Sequence, residues 1–105
     1  MQTEIAAQGF AALGSEARLE VVTALVRAGQ GGLTVGDIQV RTGIAPSTLA
    51  HHLRFLTAAD LVEQTREGRT VRNRARFDRL EALARFVLNE CCVEDTARTE
   101  ETTDV

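Results

Sequence analysis

Residues 42–56 read TGIAPSTLAHHLRFL, and the reading of this stretch decides the fold. Proline is favoured at the first position of a helix, where its missing N–H costs nothing, so a helix is predicted to start at Pro46 and run to about Ala59. Within Pro46 to Leu56, Leu49, His52, Leu53 and Leu56 recur at i, i+3, i+4 and i+7 and form an inward side. Ser47, Thr48, His51 and Arg54 then point outward, a set of hydroxyl, imidazole and guanidinium groups suited to phosphates and to base edges in a major groove. Taken alone, a polar helix face is more often simply solvated; its neighbours change that reading. At ~100° per residue His51 and His52 diverge, so they are not expected to chelate one metal. His52 reads as structural and His51 as groove-facing.

Upstream, Thr34 is a good N-cap, and Val35, Ile38 and Val40 follow it in a short helix that ends near Thr42-Gly43. Two short helices joined by a tight glycine-containing turn make a helix-turn-helix. Further back, Glu16 opens a helix capped by Ser15, with Leu19, Val22 and Val26 at helical spacing, flanked by Ala17 and Leu25, until Gly29. The alanine-rich segment Thr3 to Leu13 reads as a first helix, interrupted by Gly14-Ser15.

Downstream, Leu61 to Arg66 and Thr70 to Ala75 are short β-tolerant runs around Glu67-Gly68, which predicts a two-stranded hairpin over Val62 to Ala75. Alternation puts Val71, Asn73 and Ala75 on one face and Thr70, Arg72, Arg74 and Arg76 on the other. Arg66, Arg69, Arg72 and Arg74 make this hairpin a cationic wing. A final helix carries Phe77, Leu80, Leu83, Ala84, Val87, Leu88 and Cys91 at helical spacing. The fold class is therefore mainly α, a winged helix-turn-helix with five helices and a two-stranded wing, spanning residues 1–94. An acidic Thr/Glu-rich tail, residues 95–105, is expected to be disordered.

Composition bounds the alternatives. A chain of 105 residues fits one domain of the usual ~100 to 150 residues. No apolar run approaches the ~20 residues of a membrane span, and the opening MQTEIAAQGF lacks the basic start and apolar run of a secretory signal, so a cytoplasmic chain is expected. The net charge of −3 is unevenly spread: Leu61 to Leu80 holds six arginines against three acids, and Glu90 to Val105 holds six acids against one arginine. Every basic residue is arginine, which forms bidentate contacts with phosphate and guanine edges, although genomic composition produces the same bias. An enzyme is not expected, because there is no glycine-rich phosphate loop, no clustered carboxylate pair and no nucleophile with an obvious base. The rival reading is a winged helix that binds protein rather than DNA.

Four blocks carry a family resemblance: Ala11 to Leu19 (AALGSEARL), Ser47 to Leu56 (STLAHHLRFL), Ala59 to Val62 (ADLV) and Arg66 to Arg69 (REGR). Over roughly Phe10 to Cys92 the chain resembles the ArsR/SmtB family of winged-helix repressors. The resemblance implies a homodimer joined through the first and last helices, with two recognition helices entering successive major grooves of a palindromic operator. It also implies release of double-stranded DNA when an effector binds the dimer. The family's arsenic- and cadmium-sensing thiolate pair before the recognition helix is replaced here by Leu33-Thr34-Val35-Gly36-Asp37-Ile38. The zinc-sensing Asp, His, His and Glu pattern of the last helix is missing. Arg72-Asn73 stand where many relatives have aromatic residues, which weakens the dry face of the wing.

The only cysteines, Cys91 and Cys92, end the last helix. Some arsenite-responsive members carry such an adjacent pair there with a further cysteine a few residues on; Thr96 to Thr99 supply none. Soft thiolates suit trivalent arsenic. A pair in a regular helix splays apart, whereas fraying at the helix end converges both sulfurs on one ion. A singly methylated arsenical needs only these two donors, while arsenite needs a third, which a small-molecule thiol could supply; zinc would need four, as from the four cysteines of a dimer converging across the subunits. The expectation is a repressor released by trivalent arsenic or a methylated arsenical, with no cofactor required. Thiol-redox sensing and a buried, purely structural Cys91 are the alternatives.

Overall fold

The computed structural model describes residues 1–95. Its elements run α1 (Thr3–Leu13), α2 (Glu16–Ala28), a 3-10 turn (Gly29–Gly31), β1 (Leu33–Thr34), α3 (Val35–Thr42), α4 (Pro46–Ala58), β2 (Val62–Glu67), β3 (Thr70–Ala75) and α5 (Phe77–Leu88). The tail expected from residue 95 onward lies, apart from Asp95, outside the described residues. No helix among the described residues is long and apolar enough to cross a membrane.

Local capping accounts for the boundaries of α2 and α3. Ser15 Oγ accepts from the Arg18 N–H at 3.3 Å, and the Gly29 N–H closes α2 on the Leu25 and Val26 carbonyls. Thr34 and Asp37 form a reciprocal capping box at α3, each bond 3.1 Å long. Gly43, left-handed at φ +73°, ends α3.

Val21, Leu25, Ile38, Leu49, Leu56 and Leu61 form the fully buried centre, where each large apolar side chain contributes roughly 1.5–3 kcal/mol. The buried face of α2 is Val21, Val22, Ala24 and Leu25, whereas Leu19 and Val26 are 48% and 41% exposed. The expected Leu19/Val22/Val26 line is thus displaced around the helix. Apolar residues occupy more than half of its circumference, so periodicity alone does not select a face. Val40, placed among the apolar residues of α3, is 87% exposed. It lies ~200° from the buried Ile38 on the helix wheel.

The sheet has three antiparallel strands, not two, in the order β1-β3-β2. β1 consists of two residues, Leu33 opposite Asn73 and Thr34 opposite Arg72. Such a short strand, wedged between glycines and a helix cap, has no room to show alternation. Gly32 permits the close approach: at φ +68° a Cβ there would collide with the Asn73 carbonyl oxygen. The hairpin turn is Gly68-Arg69, one residue beyond the expected centre, since Glu67 still pairs with Thr70. Gly68 has φ +64°, the conformation such a two-residue turn demands.

The last helix packs on the first through Gly9, where a Cβ would sit 2.8 Å from a Leu83 methyl. α5 stops at Leu88, so Cys91 and Cys92 follow it in a series of turns. Cys91 is exposed rather than a buried continuation of the apolar stripe.

Candidate nucleic-acid interface

Ala45, in extended conformation, and Pro46 start α4 without a side-chain cap. Leu49, Leu53 and Leu56 anchor its inner face. Ser47, Thr48, His51 and Arg54 are all exposed, as the periodicity predicted. Among the described residues none of these four side chains has a hydrogen-bond or ionic partner, so their polar atoms are free for a ligand. His52 turns inward and its Nδ1 is buried without a partner. Burial, with the nearby Arg18 cation and His51 adding to it, holds the His52 imidazole below its ordinary pKa and favours the neutral ring. The two histidine rings are 6.0 Å apart and tilted by 54°. No group of three His, Cys, Asp or Glu side chains able to hold a metal ion occurs among the described residues.

The wing divides its arginines. Register places Arg66 opposite Val71, on the same sheet face as Gln64 and Asn73, and Arg69 in the turn. Both are exposed, with no partner among the described residues. Arg72 and Arg74, on the other face, are engaged locally. Arg72 Nε meets Glu67 Oε1 at 3.0 Å and its Nη1 donates to the Gly31 carbonyl at 3.3 Å. Arg74 Nε donates to the Gln30 carbonyl at 2.9 Å and its Nη1 to Thr65 Oγ1 at 3.2 Å. Arg76 and Arg79 pair with acids as well, both reaching Asp60 at 3.8 Å. Among the described residues of this half of the chain, unpaired positive charge is therefore concentrated at Arg54, Arg66 and Arg69.

Asn73, expected to weaken the dry face of the wing, is its buried bracket. Fully shielded from solvent, its Nδ2 donates to the Leu33 carbonyl at 3.2 Å, and its Oδ1 accepts from Gln64 Nε2 at 2.7 Å. One side chain thus joins all three strands. Nothing in the local sequence marks this, because both partners are distant along the chain.

Cys91 and Cys92 are exposed, with their sulfurs 3.4 Å apart. Cys92 adopts φ +60°, which turns it back toward its neighbour. The hydrogen bond with Cys91 and the proximity of that thiol raise the Cys92 pKa above the ordinary value. The donor set fits a soft ion that takes two sulfur ligands.

Residues 13–65 match the family described as a helix-turn-helix domain. No curated protein sequence matches the chain. Among solved structures, it is similar to an ArsR-like transcriptional regulator from Rhodococcus sp. RHA1, with 33% identity, 87% of this chain and 82% of that one covered, and a TM-score of 0.73. It is also similar to the homodimeric winged helix-turn-helix DNA-binding domain of a possible ArsR-family transcriptional regulator from Mycobacterium bovis. There identity is 32%, coverage 83% and 81%, and the TM-score 0.66. NolR from Sinorhizobium fredii is 26% identical over 84% of this chain and 85% of its own, with a TM-score of 0.67. The order of helices, the glycine turn before Pro46, the three-stranded wing and this level of identity together place the chain in the ArsR-like family of winged helix-turn-helix transcriptional regulators.

Proposed function

We infer that the chain is a homodimeric, ligand-responsive repressor that binds a palindromic operator and leaves it when a trivalent arsenical occupies Cys91 and Cys92. The observation that carries the DNA half is the exposed, unpaired set Ser47, Thr48, His51 and Arg54 on α4, with Arg66 and Arg69 at the wing tip. α4 enters the major groove; the wing tip neutralises phosphates alongside it. Arg72 and Arg74 act chiefly by holding the wing to the 3-10 turn.

Dimerisation through α1 and α5 is supported by their apolar residues left in solvent: Ile5 and Phe10 are each 40% exposed, and Val87 and Leu88 each 64%. Large apolar surface of this kind marks an interaction site. The Mycobacterium bovis relative is homodimeric.

The arsenical half rests on the 3.4 Å sulfur contact. Two thiolates satisfy a singly methylated arsenical, which makes it a better match than arsenite to the donors of one chain. A fluorescent duplex from the DNA upstream of the chain's own coding sequence tests both halves. The wild type binds it, and methylarsenite releases it; Cys91→Ser/Cys92→Ser binds equally and is not released. Equal release from both proteins removes the cysteines from sensing. Release of the wild type by a mild thiol oxidant, with no response to arsenicals, replaces this reading with thiol-redox sensing by the same pair.

A further inference from the structure

Arg18 lies in the first turn of α2, yet its side chain turns back to α1. Nε donates to the Ala12 carbonyl at 2.6 Å and Nη2 to the Ala11 carbonyl at 3.3 Å. Both oxygens belong to the last turn of α1, where carbonyls lack i+4 donors and the helix dipole is negative; that of Ala11 also accepts from the Gly14 N–H at 3.1 Å. The same guanidinium stands 4.3 Å from the centre of the Phe55 ring on α4, within cation–π range. Phe55 in turn meets the His51 ring edge-on, with centroids 6.0 Å apart and planes at 71°. His51 lies one helical turn away from Phe55, on the exposed polar face.

The geometry points to Arg18 as a positioning residue for DNA recognition, joining the end of α1 to Phe55 and thereby fixing His51 on α4. This role rests on the reading of α4 as the groove-entering helix. Arginine suits it because a planar fork donates along its edge to two carbonyls while its flat face stacks on a ring. A lysine ammonium cannot do both at once. With its guanidinium held by two α1 carbonyls and the Phe55 ring, Arg18 neutralises no phosphate. A displacement of α1, half of the proposed dimer surface, reaches His51 through this side chain as well as through the direct packing of α1 on α4.

The test compares the wild type with Arg18→Met, Phe55→Leu and the double variant on the upstream duplex over a salt series, each below its own melting midpoint. Either single substitution is expected to weaken binding about 10-fold, and the double variant no more than the worse single. The slope of log affinity against log salt stays unchanged, because no phosphate contact is lost. In the DNA-free protein the His51 ring-proton resonances shift in both singles. Undiminished binding, multiplying losses in the double variant, a slope reduced by about one, or unmoved His51 resonances would each overturn the role. If Arg18→Met does not fold, Phe55→Leu, which leaves the α1 contacts intact, decides by the same readouts. A folded wild type that fails to bind the duplex overturns the DNA reading itself; wild-type binding with indifferent variants overturns only the role of Arg18.

Discussion

Arg74 on β3 donates from Nε to the carbonyl of Gln30, forty-four residues earlier, at 2.9 Å. The bond fastens the wing to the turn that precedes α3, and it withdraws one arginine from the surface charge. Arg69, at the tip of the same hairpin, has no such tie.

These two arginines therefore behave differently when removed. Arg69→Ala is expected to lower the salt slope of DNA binding by about one and to leave stability unchanged, as is Arg54→Ala. Arg74→Ala is expected to lower stability by about 1 kcal/mol with a smaller change in slope. Binding isotherms across salt concentrations, paired with urea melts, separate the outcomes. A slope that falls equally for Arg69→Ala and Arg74→Ala would place both at phosphates.

Asn73 is the costliest single residue of the wing to lose. Asn73→Ala strips the Leu33 carbonyl of its side-chain partner in a site without solvent, and removes the acceptor of the exposed Gln64 amide. A loss of about 2–3 kcal/mol is expected, with hydrogen exchange accelerating first at Leu33 and Thr34. Stability within about 0.5 kcal/mol of the wild type would show that the three strands hold together without this bracket.

His52 makes stability depend on pH. Its folded pKa lies below the ordinary 6.5, so between those two values the unfolded chain binds more protons than the native one. The contribution is complete above the unfolded value and is lost as pH falls through the folded one. Stability should therefore decline on acidification below about 6.5, and His52→Leu should flatten that part of the curve. An unchanged pH profile in the variant would assign the decline to other groups.

The raised pKa of Cys92 follows from its contact with Cys91. Cys91→Ser is expected to lower the Cys92 pKa toward the ordinary thiol value and to speed its alkylation at mildly alkaline pH, since the thiolate is the nucleophile. Methylarsenite forms two As–S bonds with the pair while its two hydroxyls leave as water with the thiol protons, so its affinity should not change with pH as long as both thiols are protonated. Alkylation of Cys92 at the same rate in both proteins would show that the 3.4 Å contact does not persist in solution.

Much of this protein was legible from residues that act on their immediate neighbours. Ser15, Thr34 and Gly43 set helix boundaries through bonds spanning a single turn, and Pro46 does so through its fixed φ and missing N–H, so the helix-turn-helix could be placed from sequence. The outward set on α4 was legible for the same reason, since the three leucines of the opposite side leave only one inward orientation. Ending α5 at Leu88 was harder to foresee: the apolar stripe continues to Cys91, but the backbone turns at Cys92.

By itself, then, the sequence determined the order of the five helices and the two hairpin strands, the outward polar face of α4 and the uneven distribution of charge, because these depend on spacing and on local hydrogen bonding. Tertiary structure alone decided which wing arginines stay free, that β1 joins the sheet, that Asn73 is buried, and that Arg18 reaches Phe55. Each of these depends on groups far apart in the chain, from nine residues between Gln64 and Asn73 to forty-four between Gln30 and Arg74. A donor or a charge has no assigned partner until folding brings one within about 3 Å.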